Sequence, residues 1–248
     1  MEASFLALLV GGFLGGAMNS VAGGGTLITF PLLLWVGLDP KTANASNMVA
    51  HWPGAVGAAW GYRHDLAAGR LPLLRLSAVS VLGACLGAML LLWTPPTTFA
   101  RLVPFLIWFA TALFIGQEFR KGERETARLG RPVILCAQFF ISIYGGYFGA
   151  GVSIVMLAAL QLAGVRDINL ANGAKNFLNV SINLVAAAAF ASAGLVRWPE
   201  ALALGAAATL GGYASAVAAK RLQRHHVRRV IIAIGLAVGL ATFLQNWG

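Results

Sequence analysis

Two sets of polar side chains sit at helical spacing inside otherwise apolar sequence: Asn44, Asn47 and His51, and Asn172, Lys175, Asn176, Asn179 and Asn183. Steps of three and four put each set on one face of a helix. One fixed cation among amides and an imidazole is the chemistry of an anion site. Asn alone says less, because asparagines also glue membrane helices together for about 0.6 to 2 kcal/mol each. A lysine at membrane depth costs roughly 2.5 kcal/mol or more and normally marks a substrate path; the alternative is that Lys175 snorkels to the nearby 166–169 loop. His51 could pass a proton, as the side chain that titrates nearest neutral pH, or it could be a packing residue beside Trp52.

What would position these stripes is a pair of broken helices. In the stretch from Met18 to Pro31, residues 4–17 and 26–37 form apolar runs, separated by Asn19, Ser20, Gly23, Gly24 and Gly25. Each run is shorter than the about 20 residues needed to cross a bilayer, and irregular backbone at that depth survives only where protein or a watery cavity satisfies it. The design returns at Tyr144 to Gly151, followed by the short run 152–163. Aligning Gly25 with Gly151, Gly37 with Gly164 and Asp39 with Asp167 takes two one-residue insertions. Asn44 then falls on Asn172, Asn47 on Lys175 and His51 on Asn179. Matching breaks in two halves point to a secondary transporter. Half-helix N-termini at the breaks carry partial positive charge. The amides of Gly23 to Gly25 and Gly149 to Gly151 are therefore expected to cradle an anion, together with Lys175, Asn172 and Asn176, and no acidic residue occurs in either stripe to neutralise the lysine.

The chain has 248 residues, 58% hydrophobic and 10% charged, and no segment carries the polar amphipathic pattern of a soluble domain. Apolar segments at 4–17, 26–37, 43–62, 72–93, 98–117, 132–148, 152–163, 170–193, 199–219 and 229–247 give five per half. Pro72, Pro132 and Pro199 open segments, where proline is tolerated. The expected fold is an all-α polytopic membrane protein, a single transmembrane domain over 1–248, with repeats 1–117 and 131–248 joined by a cytoplasmic linker, 118–130. Charge counting separates two topologies. If each broken segment crosses once, the halves are parallel and cytoplasmic loops hold nine of the 18 Lys and Arg residues against eight outside. If each returns to its starting side, as a re-entrant hairpin or two passes, the halves are inverted. Cytoplasmic loops then hold 14, only Lys41, Arg101 and Arg197 lie outside, and Lys175 is in the membrane. The positive-inside rule selects the inverted arrangement, with both ends of the chain outside.

The net charge of +10 comes from basic clusters at 63–75, 120–131 and 220–229, which that rule explains without nucleic acid. Cys85 and Cys136, inside apolar runs without metal-ligand spacing, are expected to be buried and inert. Glu2 and the lack of an early basic residue argue against a cleaved signal peptide. No Gly-x-x-x-x-Gly-Lys-Ser/Thr loop or His-Glu-x-x-His motif occurs, and Ser153 is followed only by His225 and His226 in a basic loop. The reading is therefore no enzyme, no cofactor and no metal. Gly12-x-x-x-Gly16, Gly83-x-x-x-Gly87 and Gly145-x-x-x-Gly149 permit close helix packing. The expected partners are a small anion and membrane lipid, with a coupling proton and a second copy of the chain as further candidates.

Gly23-Gly-Gly-Thr-Leu-Ile-Thr-Phe-Pro-Leu-Leu, Tyr144-Gly-Gly-Tyr-Phe-Gly-Ala-Gly and Ala171-Asn-x-x-Lys-Asn resemble the sulfite exporter TauE/SafE family over nearly the whole chain. The second break departs from the family pattern, with Gly149-Ala-Gly151 in place of a glycine triplet and no following proline. The resemblance implies export of sulfite, sulfonates or other small organic anions across the inner membrane without ATP hydrolysis. A passive anion channel and a non-transporting membrane scaffold are the competing readings.

Overall fold

The computed structural model describes residues 2–21, 23–69, 71–119, 130–218 and 224–247, and among them every regular element is a helix. The first half holds α1 (Glu2–Val21), α2 (Thr26–Trp35), α3 (Pro40–Gly61), α4 (Arg63–Ala68), α5 (Leu73–Trp93) and α6 (Pro96–Phe119). The second holds α7 (Arg131–Tyr147), α8 (Val152–Leu162), α9 (Ile168–Ser192), α10 (Trp198–Ala218) and α11 (Arg224–Trp247). Three described helices are long and apolar enough to cross a membrane, Leu73–Trp93, Pro96–Leu113 and Ile168–Ser192. The ten expected segments all appear within a few residues of their limits. The exception is α4, six residues in a loop expected to be irregular, where Asp65 lies in the first turn and favours the helix N-terminus.

The matching halves begin their crossing helices alike. Asp39 caps α3 by accepting from the amides of Lys41 and Thr42, and Asp167 caps α9 by accepting from Asn169 and Leu170. Both satisfy first-turn donors that a helix leaves open. The helices then interleave rather than forming two separate bundles. Helix α1 packs along α10 of the other half and α7 packs along α5; α3 and α9 cross at the centre, and α6 pairs with α11. Exchanging α1, α3, α5 and α6 for α7, α9, α10 and α11 turns the α1–α10 pairing into α7–α5 and leaves α3–α9 and α6–α11 as they are.

Glycines set how closely the helices approach. A Cβ on Gly12 would strike Leu204 and one on Gly16 would strike Ala208, while Gly83 and Gly87 are packed in the same way on Phe139 and Ile143. The order of such contacts gives helix direction. Gly12 meets Leu204 and Gly16 meets Ala208, so α1 and α10 run the same way; Gly205 on Ala50 and Gly54 on Ala208 add α3 to that set. Gly83 on Phe139, Gly87 on Ile143 and the Ser77–Ser181 hydrogen bond join α5, α7 and α9. Gly173, at the start of α9, packs on Tyr62 and Leu66 just past the end of α3, so the two sets are opposed. Likewise Gly235 meets Thr111 and Gly239 meets Trp108, making α6 and α11 antiparallel.

Cys85 and Cys136 correct the expectation of burial: both side chains are exposed on the outer faces of α5 and α7. An apolar surrounding accepts a thiol as readily as a protein core does, so an apolar run in a membrane chain does not predict burial against protein.

Candidate functional site

The first broken segment folds back on itself, and in the second α8 packs against α7. Gly11 and Gly15 of α1 pack on Leu32 and Thr29 of α2, so the second helix returns along the first. Helix α2 has 10 residues and α8 has 11, which at 1.5 Å per residue makes each return leg about 15 Å, half the thickness of a hydrocarbon core. The turn is made by glycines in the left-handed region: Gly23 (φ +83°), Gly149 (+77°) and Gly151 (+74°). Such angles are unfavourable for residues with a Cβ. The Gly23 amide donates to Met18 O and the Gly149 amide to Tyr144 O, each five residues back. These two amides are spent on closing α1 and α7, so for an anion Gly23 and Gly149 offer shape rather than a donor; the first turns of α2 and α8 are where open amides belong. Gly24 and Gly25 are buried, and Gly24 O accepts from Leu27. The two breaks also touch, since a Cβ on Gly23 would strike Ser153 at the start of α8, while one on Gly149 would strike Met48 of α3.

Between the breaks is a cavity of about 10 Å³ lined by Asn19, Thr26, Met48, His51, Gly149, Val152, Ser153, Asn179 and Asn183. That is room for about one water. Both half-helices present their first residues to it, Thr26 for α2 and Val152 and Ser153 for α8. It also contains His51 and Asn179, the pair that the repeat alignment matches. Each is fixed by a hydroxyl from the half-helix of its own repeat: His51 Nε2 lies 2.8 Å from Thr29 Oγ1, and Asn179 Nδ2 donates to Ser153 Oγ at 2.8 Å. No acidic side chain lines the cavity.

Two of the remaining stripe residues, Lys175 and Asn44, bind the broken helices of the opposite half. Lys175, fully buried, donates to Asn19 O at 3.1 Å and Ser20 O at 3.3 Å, in the last turn of α1. Asn44 Nδ2 donates to Tyr147 O at 3.0 Å, the last residue of α7. Side-chain donors thus occupy carbonyls at the negative ends of α1 and α7, while the positive ends of α2 and α8 face the cavity. Lys175 is therefore partnered by carbonyl dipoles, and among the described residues no opposite charge neutralises it. Several buried amide atoms of the two stripes have no partner among the described residues: both polar atoms of Asn47, Oδ1 of Asn44, Asn172 and Asn179, and Nδ2 of Asn176. Unpaired groups of this kind are costly in a dry interior, which makes them candidates for contact with a polar ligand.

Of the residues singled out by sequence, Asn19, His51, Gly149, Asn179 and Asn183 line the cavity. Gly23 packs on Ser153 of the lining and Gly151 on Ala110, while Asn44, Asn47, Asn172, Lys175 and Asn176 are buried outside the lining, Lys175 reaching it through Asn19 O. Sequence reasoning missed Thr26, Thr29 and Met48 as site residues and considered Ser153 only as a nucleophile. The available signal was position: Thr26 and Ser153 are the first hydroxyls after each break. Among the described residues no three His, Cys, Asp or Glu side chains converge on a metal-sized site.

Residues 8–242 match the family described as Sulfite exporter TauE/SafE. The chain is 31% identical over 241 residues to a probable membrane transporter protein, ORF9, of Sinorhizobium sp., covering 94% of this chain and 90% of that protein. It is 27% identical over 243 residues to a probable membrane transporter protein of Haemophilus influenzae, covering 95% and 93%. It is 28% identical over 192 residues to the probable membrane transporter protein YfcA of Escherichia coli K12, covering 75% and 69%. A match across nearly its full length, over helices that fold back on paired glycine breaks, makes this chain a member of the sulfite exporter TauE/SafE family of membrane transporters.

Proposed function

We propose that the protein is a secondary transporter of small anions, with sulfite and organosulfonates as the leading class, exported across the bacterial inner membrane without a catalytic step. The observation that carries this reading is the cavity between the breaks, onto which two half-helix N-termini open with no acidic side chain in the lining. Backbone donors and a helix dipole favour an anion there. The cavity is too small for sulfite as it stands, so loading requires the surrounding helices to move, which favours a carrier over an open channel. In liposomes a carrier gives saturable counterflow of radiolabelled sulfite stimulated by sulfite on the far side; an ohmic current without counterflow would return the passive channel.

The opposed directions of α1, α3 and α10 against α7, α9 and α5 support inverted halves. In that arrangement Lys41, Arg101 and Arg197 sit at one end of the helices, and Arg63, Arg75 and Arg166 at the other, which the positive-inside rule assigns to the cytoplasm. Single cysteines at 97 and 225, placed in a Cys85→Ala, Cys136→Ala background, should then react from opposite sides with an impermeant thiol reagent: 97 in intact cells, 225 only in inverted vesicles. Reaction of both from one side would favour parallel halves.

His51 lines the cavity and holds Thr29, which supports a role as the coupling proton acceptor. His51→Gln keeps a donor near Thr29 but cannot change charge. The expected result is counterflow that no longer varies between about pH 5.5 and about pH 7.5, roughly one unit either side of histidine's ordinary value near 6.5. Unchanged pH dependence would make His51 a packing residue.

A further inference from the structure

We infer that Lys175 makes anion affinity side-specific, with tight loading from the basic-loop face and weaker loading from the opposite face. The inference rests on the anion-transport reading above and says which face of that site carries the charge. Because α3 and α9 are antiparallel, their polar stripes approach the cavity from opposite ends of the protein. Asn44 and Asn47 lead in from the end that bears Lys41, Arg101 and Arg197. Asn172, Lys175 and Asn176 lead in from the end where α9 starts, beside Arg166. Each stripe is buried: Asn44, Asn47, Asn172, Lys175 and Asn176 are all 2% exposed or less.

The two approaches are alike in form. In each, the first residues of the stripe bind the last turn of the other half's broken helix, by Asn44 to Tyr147 O on one side and by Lys175 to Asn19 O and Ser20 O on the other. In a transporter built from matching halves, the open-to-one-side and open-to-the-other states exchange the conformations of the halves. Were the residues identical, the two states would bind substrate equally. They differ in charge at one matched pair, Asn47 against Lys175. An ammonium has three protons, and two of those on Lys175 are used on carbonyls 3.1 and 3.3 Å away. The third is free for an anion arriving beside Asn176, whose Nδ2 is unpartnered and can donate to it. The matching amide of Asn47 can only donate as a neutral group, and a hydrogen bond to a charged donor is the stronger by about a factor of two. Net direction is still set by gradients; what Lys175 sets is which face loads at low concentration.

The test compares radiolabelled sulfite exchange in right-side-out and inside-out membrane vesicles. The wild type is expected to show the lower KM at its basic-loop face. Lys175→Asn should raise that KM about ten-fold, the loss of one charge-assisted contact, and leave the KM at the other face within about three-fold. The exchange Asn47→Lys with Lys175→Asn should move the tight side across; should that double variant fail to fold, the single variant decides. Equal rises at both faces would place Lys175 in a site common to both states and overturn the inference, as would no change at either. A wild type without sulfite exchange would fail before any variant is compared, and would remove the transport reading itself.

Discussion

Gly23→Ala is expected to reduce anion exchange at least ten-fold, while Gly37→Ala leaves most of it. Both glycines hold a positive φ, +83° and +100°, so both substitutions carry backbone strain of roughly 1 to 2 kcal/mol. They differ in what the new methyl group meets. At Gly37 nothing lies within 4 Å. At Gly23 the added carbon would strike Ser153 in the first turn of α8, whose hydroxyl accepts from Asn179 at the cavity wall. Relieving that clash moves the two breaks apart and releases Asn179. Thermal unfolding in detergent should fall for both variants, and further for Gly23→Ala, which carries the clash as well as the strain, with exchange in liposomes by the folded proteins separating them. Equal losses of exchange would mean that the backbone angle alone matters and that the contact between the breaks has no part in transport.

Much of this arrangement was legible in the sequence, because a membrane chain writes its helices as apolar runs and its irregular backbone as glycine. The breaks at Gly23 to Gly25 and Gly149 to Gly151, the Asp39 and Asp167 starts of the crossing helices, and the matched stripes on α3 and α9 all follow from spacing. Three kinds of feature did not. The carbonyls of Asn19 and Ser20 that receive Lys175 are backbone groups, present at every residue, so no side-chain pattern announces them. The packing of α1 on α10 and of α7 on α5 joins segments about 190 and 60 residues apart through small residues that occur throughout the chain. The outward positions of Cys85 and Cys136 reflect a solvent that is itself apolar, which removes the usual link between hydrophobic and buried. Thr29 and Ser153 were open to inference, as hydroxyls within one turn of each break, once the stripes were seen to need partners.

Lys175→Gln is the second large effect, and it bears on the account at its centre. The ammonium is fully buried, and its partners are two carbonyls at the end of α1. A helix C-terminus offsets a positive charge by only about 0.3 to 2 kcal/mol, well short of neutralising a buried cation. An anion in the adjoining cavity would complete that compensation, with the unpartnered Nδ2 of Asn176 as a further donor. Glutamine keeps N–H donors on a shorter stem and removes the charge, so the variant leaves carbonyls less well satisfied, at about 1 to 3 kcal/mol, without stranding a charge. It should therefore fold. Isothermal titration of purified wild type and Lys175→Gln with sulfite is the direct measurement: the account predicts saturable binding to the wild type, weakened at least ten-fold in the variant, which still unfolds cooperatively. Equal affinity in the two proteins would contradict it, leaving Lys175 as a structural cap on α1 and the cavity between the breaks without its anion.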